Sequence, residues 1–310
     1  MARASILALA LVAACTSRPA TPGSLTITDD WGRRVALAAP ARRIVSLAPA
    51  TTELLFDLGL GGRVVGRTRY DDWPPAARAV PSVGAGLAPS VEAIAARRPD
   101  LVLLYASPAD RPALAGLTAL GIPVAMLKLD DAADLVRDAR LIGTLAGPAG
   151  RRRADSAVAA FDSALAAVAA RDSARWAGRP RPRVYVDVWN DPPMTVGRGS
   201  YLSRVIAAAG AANLFDDLKA PSATVSLEAV VARDPDAILV IAGDTARRAD
   251  LGALPGWDAV PAVRAGRIVV LDARLYGQPS LAMPQAAEDL AARLARLPAR
   301  GAAAPEKAGR

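Results

Sequence analysis

A fourteen-residue pattern stands once on each side of a long, unbroken helix-forming stretch, and this arrangement limits the chain to a two-part build. Residues 91–104 align with 227–240, and seven of the fourteen positions are identical. Glu92 and Glu228 take the same place near the start of a predicted helix, and Pro99-Asp100 and Pro235-Asp236 end that helix and launch an apolar run. Proline stops a helix because it has no N–H to donate and its ring clashes with the preceding turn. Between the copies, residues 147–175 are alanine-rich and have no proline or glycine after Gly150. They set Val158, Phe161, Leu165 and Val168 on one stripe, as a helix with one buried face requires. About 25 helical residues run roughly 38 Å. That is long for a crossover within a small domain and suits a rigid strut between two lobes with a cleft between them.

Short apolar strands and helices alternate on both sides of the strut. Residues 25–37 predict a β-hairpin. Strands are predicted at 43–47, 64–66, 101–104 and 124–127, with helices opening at Pro49 and spanning 92–98 and 114–120. After the strut, strands are expected at 184–188, 238–241 and 268–271, and helices at 202–209, 227–233 and 285–297. Alternation of this kind predicts an α/β fold with parallel sheets covered on both faces.

Composition removes several function classes. The chain has 310 residues, 52 % of them hydrophobic, enough for two domains with substantial cores. The net charge of +8 comes from scattered arginines, and aromatics are only 4 %. Nucleic-acid grooves need basic stripes interleaved with aromatics, so no nucleic-acid partner is expected. Histidine is absent, which excludes His-based zinc sites, Ser-His-Asp triads and haem ligation by His. The single cysteine, Cys15, allows no internal disulfide. An α/β enzyme is the alternative from another class. Against it, Ser46-Leu47-Ala48-Pro49 follows the first strand of the proposed sheet where a glycine-rich phosphate loop would stand. No P-loop or G-x-S-x-G elbow occurs either, so no catalytic residue and no resident cofactor or metal is assigned.

The N-terminus has the layout of a secretory signal: Arg3, an apolar stretch over 6–12, and the small pair Ala13-Ala14 before Cys15. Leu11-Val12-Ala13-Ala14-Cys15 resembles a bacterial lipobox, which implies lipidation of Cys15. The residues that follow are rich in Ser, Thr, Pro and Gly, as a flexible tether would be.

Arg43-Ile44-Val45-Ser46-Leu47-Ala48-Pro49-Ala50-Thr51-Thr52-Glu53-Leu54-Leu55 resembles the first strand and helix of the helical-backbone (class III) substrate-binding proteins of ABC importers. These serve cobalamin, siderophores and haem. Tyr70-Asp71-Asp72-Trp73-Pro74-Pro75, Asn190-Asp191-Pro192-Pro193 and the two repeats fit the same family, and the likeness covers about 25–297. Its cobalamin-binding branch is the nearest likeness.

The resemblance implies two Rossmann-like lobes joined by a single long backbone helix, with a small-molecule chelate, a corrinoid above others, in the cleft. It implies a signal peptide over 1–14, a lipidated tether over 15–24, an N-terminal lobe over 25–146, the backbone helix over 147–178, a C-terminal lobe over 179–298 and a disordered tail over 299–310. It further implies a monomeric, extracytoplasmic, membrane-anchored lipoprotein that delivers its ligand to a permease and its ATPase. Glu92 and Glu228 match the positions that dock on the transporter. Tyr70 and Asp272 match pocket positions. Two aromatic pocket positions stand here as Gly86 and Ser222, an arginine position as Tyr276 and a tyrosine position as Trp73, while Trp189 is additional. Tyr70, Trp73, Trp189 and Tyr276 are the expected aromatic walls. A ferric siderophore or haem is the alternative ligand, with Arg69, Arg198 and Arg274 near the cleft loops.

Overall fold

A computed structural model of the chain describes residues 25–86, 89–242 and 251–297. The signal segment, Cys15 with its tether, and residues 299–310 lie outside the described residues. A hairpin of β1 (Leu25–Thr28) and β2 (Arg34–Leu37) opens the first lobe. Then follow β3 (Ile44–Ser46), α1 (Pro49–Asp57), β4 (Val64–Gly66), α2 (Val91–Ala95), β5 (Leu101–Tyr105), α3 (Arg111–Ala119), β6 (Val124–Leu127) and α4 (Ala132–Leu145). The strut is α5 (Pro148–Arg175), 28 residues long.

The second lobe runs through β7 (Arg183–Asp187), β8 (Trp189–Asn190), β9 (Pro193–Val196), α6 (Tyr201–Ala208), β10 (Ala212–Asn213), β11 (Ser222–Thr224) and α7 (Leu227–Arg233). It ends with β12 (Ala237–Ala242), α8 (Pro261–Arg264), β13 (Ile268–Asp272), α9 (Ala273–Tyr276) and α10 (Met283–Leu294).

Each lobe is built on a four-stranded parallel sheet, ordered β4-β3-β5-β6 in the first and β10-β7-β12-β13 in the second. The two orders correspond strand for strand. In both, the chain leaves the first strand toward one side and crosses to the other, so a crevice forms at the carboxyl ends of the strands. The α/β expectation, with two lobes and one long helix between them, holds.

The sequence repeat has a physical basis in the fold. Ser90 and Ser226 cap α2 and α7 by accepting from Ala93 N (3.2 Å) and Ala229 N (3.1 Å), which satisfies N–H groups that a helix start leaves free. Ile94 and Val230 are both fully buried. Arg98 and Asp234 then turn the chain with φ of 49° and 46°, just before each proline. Asp100 accepts from the Arg42 and Arg43 amides, and Asp236 from Arg183 N. These contacts tie the start of one strand to the next strand in the same way in both lobes.

One core runs through both lobes along α5, where Ala154, Val158, Phe161, Leu165 and Val168 are buried. Separate clusters fill the far face of each sheet, around Ile94 and Leu117 in the first lobe and around Tyr185, Phe215 and Trp257 in the second. Burying each aliphatic side chain in these clusters contributes about 1.5–3 kcal/mol. The helix α4 and the small antiparallel sheet β11-β9-β8 were not predicted from the sequence.

Candidate functional site

Loops that leave the carboxyl ends of the two sheets touch one another, which makes the space between the ends a cleft with a defined floor. Gln278 Nε2, just after α9, donates to Glu53 Oε2 on α1. Tyr201 N, at the start of α6, donates to Asp130 O at 2.9 Å. Tyr105 Oη, at the end of β5, donates to Asp130 Oδ1 at 2.6 Å. Burial, then Asp130, pushes the Tyr105 phenol up, so it stays a donor. Glu53 is buried, and burial foremost raises its carboxyl to about 7.

The first wall hangs on a buried carboxylate. After β4 the chain turns through Arg67 to Trp73. Asp71, with no exposed surface, accepts from Thr52 Oγ1 at 2.6 Å, Thr68 N at 3.1 Å and the Thr68 hydroxyl. The Arg67 guanidinium binds the carbonyls of Ala77 and Thr68 at 2.8 and 2.7 Å. A loop pinned at both edges sends the residue between them outward, and Tyr70 is 62 % exposed. Arg69 lies 5.7 Å from its ring centre, and Trp73 follows, partly exposed, before the cis peptide to Pro74. Gly86 sits against the same strand end. A Cβ there would meet Leu47 O at 2.8 Å and Thr68 Cγ2 at 3.3 Å, so the close approach to the end of β3 requires glycine and adds no wall.

The second wall is the β8–β9 hairpin. Its turn contains the cis Asp191–Pro192 bond, and Trp189 Nε1 donates to Asp191 O at 2.7 Å. With its N–H engaged, the indole presents its ring to solvent, 62 % exposed. Ser222, exposed, lies on β11 of the same small sheet, paired with Val196. Asp272, exposed at the end of β13, caps α9 by accepting from Arg274 N at 2.9 Å. Asp187, at the end of β7, is buried, and burial raises its carboxyl to about 6.

Two placements differ from expectation. Tyr276 is 1 % exposed. Its hydroxyl donates to Ala286 O at 2.7 Å and Asp289 Oδ2 at 2.8 Å, and its carbonyl accepts from Tyr201 Oη at 2.6 Å. Helix α10 seals it in the core, so it is not a cleft wall. Arg198, expected beside the cleft loops, lines a depression of about 670 Å³ between α4, α5 and α6, with Arg140, Phe161 and Arg204. Glu53, Asp71, Tyr105, Asp130 and Gln278 were not singled out from the sequence. The buried carboxylates among them lie in quoted motifs, Thr-Thr-Glu and Tyr-Asp-Asp-Trp, but Gln278, the partner of Glu53, is far off in the chain, and Asp71 draws one of its donors from Thr52 on α1.

Glu92 and Glu228 are exposed, each the second residue of its helix. Among the described residues, no group of three or more His, Cys, Asp or Glu is arranged to hold a metal ion. No described helix is long and apolar enough to cross a membrane.

Two similar α/β lobes, one helical strut and a cleft edged by exposed aromatics define a solute-binding protein of the class III, helical-backbone type. The profile of the periplasmic binding protein family matches residues 44–275, and the chain belongs to that family. It is 34 % identical over 203 residues to the vitamin B12-binding protein of Salmonella typhimurium, covering 66 % of this chain and 73 % of that one. It is 28 % identical over 274 residues to the uncharacterized ABC transporter substrate-binding lipoprotein YvrC of Bacillus subtilis, covering 86 % and 84 %. Among solved structures it resembles the periplasmic heme-binding protein RhuT of Roseiflexus sp. RS-1, with a TM-score of 0.69, 29 % identity and coverage of 82 % and 97 %. Members of the family are substrate-binding proteins of transporters, not enzymes, and they work outside the cytoplasm.

Proposed function

We propose that this ABC-type binding protein captures a corrinoid in the inter-lobe cleft and hands it to the permease of its importer. The observation that carries the reading is the exposure of Tyr70, Trp73 and Trp189 on loops at the carboxyl ends of both sheets. Aromatic side chains are large apolar bodies, and leaving three in water at one cleft suits a flat, mostly apolar ligand with polar edges. Asp272 and Arg69 supply polar contacts at the rim. Likeness to vitamin B12-binding relatives supports the same ligand class. Removing either Tyr70 or Trp189 as far as Cβ weakens binding by about 1–3 kcal/mol, or roughly 5- to 150-fold. Calorimetry with cyanocobalamin and base-free cobinamide is the test, with tight binding of at least one expected. No heat from either, alongside tight binding of hemin or a ferric hydroxamate, overturns the corrinoid assignment and leaves the binding-protein reading standing.

Haem is the second reading, favoured by the exposed Tyr70 phenol and the likeness to a heme-binding structure. Tyrosine ligates haem iron, so this reading expects a hemin absorption band that Tyr70→Phe abolishes. Lipidation of Cys15 is part of the proposal, supported by the lipobox-like residues before it and by similarity to a lipoprotein. Cys15→Ala then moves the protein from the membrane fraction to the soluble one. Retention on salt-washed membranes argues against the anchor.

A further inference from the structure

The cleft floor contains a carboxylate that neither the walls nor the docking positions account for. Glu53 lies in the middle of α1 and is 4 % exposed. Across the cleft, Gln278 Nε2 donates to it and the Ser280 hydroxyl reaches the same group. Among the described residues, Glu53 with Gln278 and Ser280 is the side-chain contact that joins the first lobe directly to the second without passing through α5. The other direct bond, Tyr201 N to Asp130 O, is between backbone atoms.

We propose that Glu53 is a positioning residue that ties the two lobes at the cleft floor, and that the tie is proton-linked. The proposal rests on the cleft being the binding site, but its test needs no ligand, so the two readings fail separately. From α1 the charged group acting on Glu53 is Asp57, one turn on; from the opposite segment the facing groups are Gln278 and Ser280. Burial and then the Asp57 charge favour the neutral form, while the bonds from Gln278 and Ser280 favour the anion. Burial dominates and the carboxyl rises to about 7.

When the floor separates, Glu53 meets water and returns toward the ordinary carboxyl value of 4.5. The tied floor therefore holds the proton more strongly than the separated one. By linkage, protonation favours the tied floor and deprotonation near neutral pH favours separation. A ligand that needs both walls at a fixed spacing binds best where the floor is tied.

The test is a pair of spin labels at Ala119→Cys and Ala232→Cys, exposed on the outer helices of the two lobes, in the full chain carrying Cys15→Ser. Pulsed distance measurements without ligand between pH 5.5 and 8.5 should show a narrow distribution at acid pH. It should broaden to longer distances as pH rises toward about 7 and change little above that. Glu53→Gln, neutral at every pH and still able to accept from Gln278, should stay narrow throughout. Gln278→Leu removes the donor that makes the tie and should broaden the distribution already at acid pH. It keeps the test open if Glu53→Gln does not fold. A wild-type distribution that does not change across the range, or a pH response that survives Glu53→Gln, overturns the proposal.

Discussion

Removing the Asp71 carboxylate leaves three donors without their acceptor: the Thr52 and Thr68 hydroxyls and the Thr68 amide. Stranded buried donors cost about 1–3 kcal/mol in such cases. Asp71→Ala is therefore expected to lose that much in urea unfolding. Because Asp71 fixes the loop that turns Tyr70 outward, the variant should also bind its ligand more weakly although position 71 never touches it. Unchanged affinity at lowered stability would separate the loop from the binding surface.

Asp138 gives a second residue-level expectation. It is fully buried on α4, 3.3 Å from Arg137 Nη2 and facing the Asp30 carboxylate. Burial first, then the Asp30 charge, raises it to about 9. The folded protein thus keeps a proton that the unfolded chain releases above about pH 4. Stability from this group falls as pH rises between those values. Asp138→Asn is expected to reduce the loss of urea stability between pH 5 and 8. One pKa unit is worth about 1.4 kcal/mol, so even part of the shift is measurable. Glu53 and Asp187, also raised, contribute in the same direction, so the variant flattens the slope without abolishing it. An unaltered slope would place the wild-type proton elsewhere.

At the scale of elements, α5 is what makes the halves one molecule. Phe161 is buried near its midpoint, in the core shared by both lobes. Phe161→Ala should cost about 3 kcal/mol or more, read as a fall in Tm of roughly 2–4 °C per kcal/mol. A substitution that left Tm unchanged would mean that the lobes do not depend on the strut's apolar stripe. This helix was legible in the sequence because unbroken alanines with one apolar stripe have few other solutions. The neighbouring α4 was not, although its start carries a capping box of Asp131 and Asp134. Its Gly143 reads as a breaker in the sequence. In the fold, a Cβ there would meet Ala154 Cβ at 2.6 Å and Gly150 O at 3.0 Å. The glycine serves the close crossing of α4 on α5, and that requirement exists only once both helices are packed.

The candidate site divides along the same line. Tyr70, at a matched pocket position, and Tyr276, at an arginine position, were both candidate walls in the sequence. One is turned out by a loop pinned at Asp71, and the other is drawn inward by Ala286 and Asp289 of α10. Local pattern locates the loops; long-range partners decide which way each ring points.

For the whole molecule, the repeat places one exposed carboxylate on each lobe in the same local frame. Ser90 and Ser226 cap the two helices, Glu92 and Glu228 follow two residues on, and both side chains are exposed. The Glu228 carboxyl is held below its usual range, first by its own backbone N–H and then by the Ser226 hydroxyl, so it stays charged. A permease that presents a cation to each lobe would engage both at a spacing set by α5. Each exposed pair contributes only about 0.2–1 kcal/mol, so Glu92→Lys or Glu228→Lys alone should weaken docking a few-fold. Reversing both should do more than either, because the second contact forms within an encounter already held by the first. Attraction would also become repulsion at both ends. The measurement is binding of the ligand-loaded protein to vesicles that carry the permease and its ATPase, at low and moderate salt. Ligand affinity of the double variant should match the wild type, since both carboxylates are exposed on α2 and α7 and not on the loops that carry Tyr70 and Trp189. Docking that survives the double reversal removes these carboxylates from the interface, and a parallel loss of ligand affinity places them in the pocket instead.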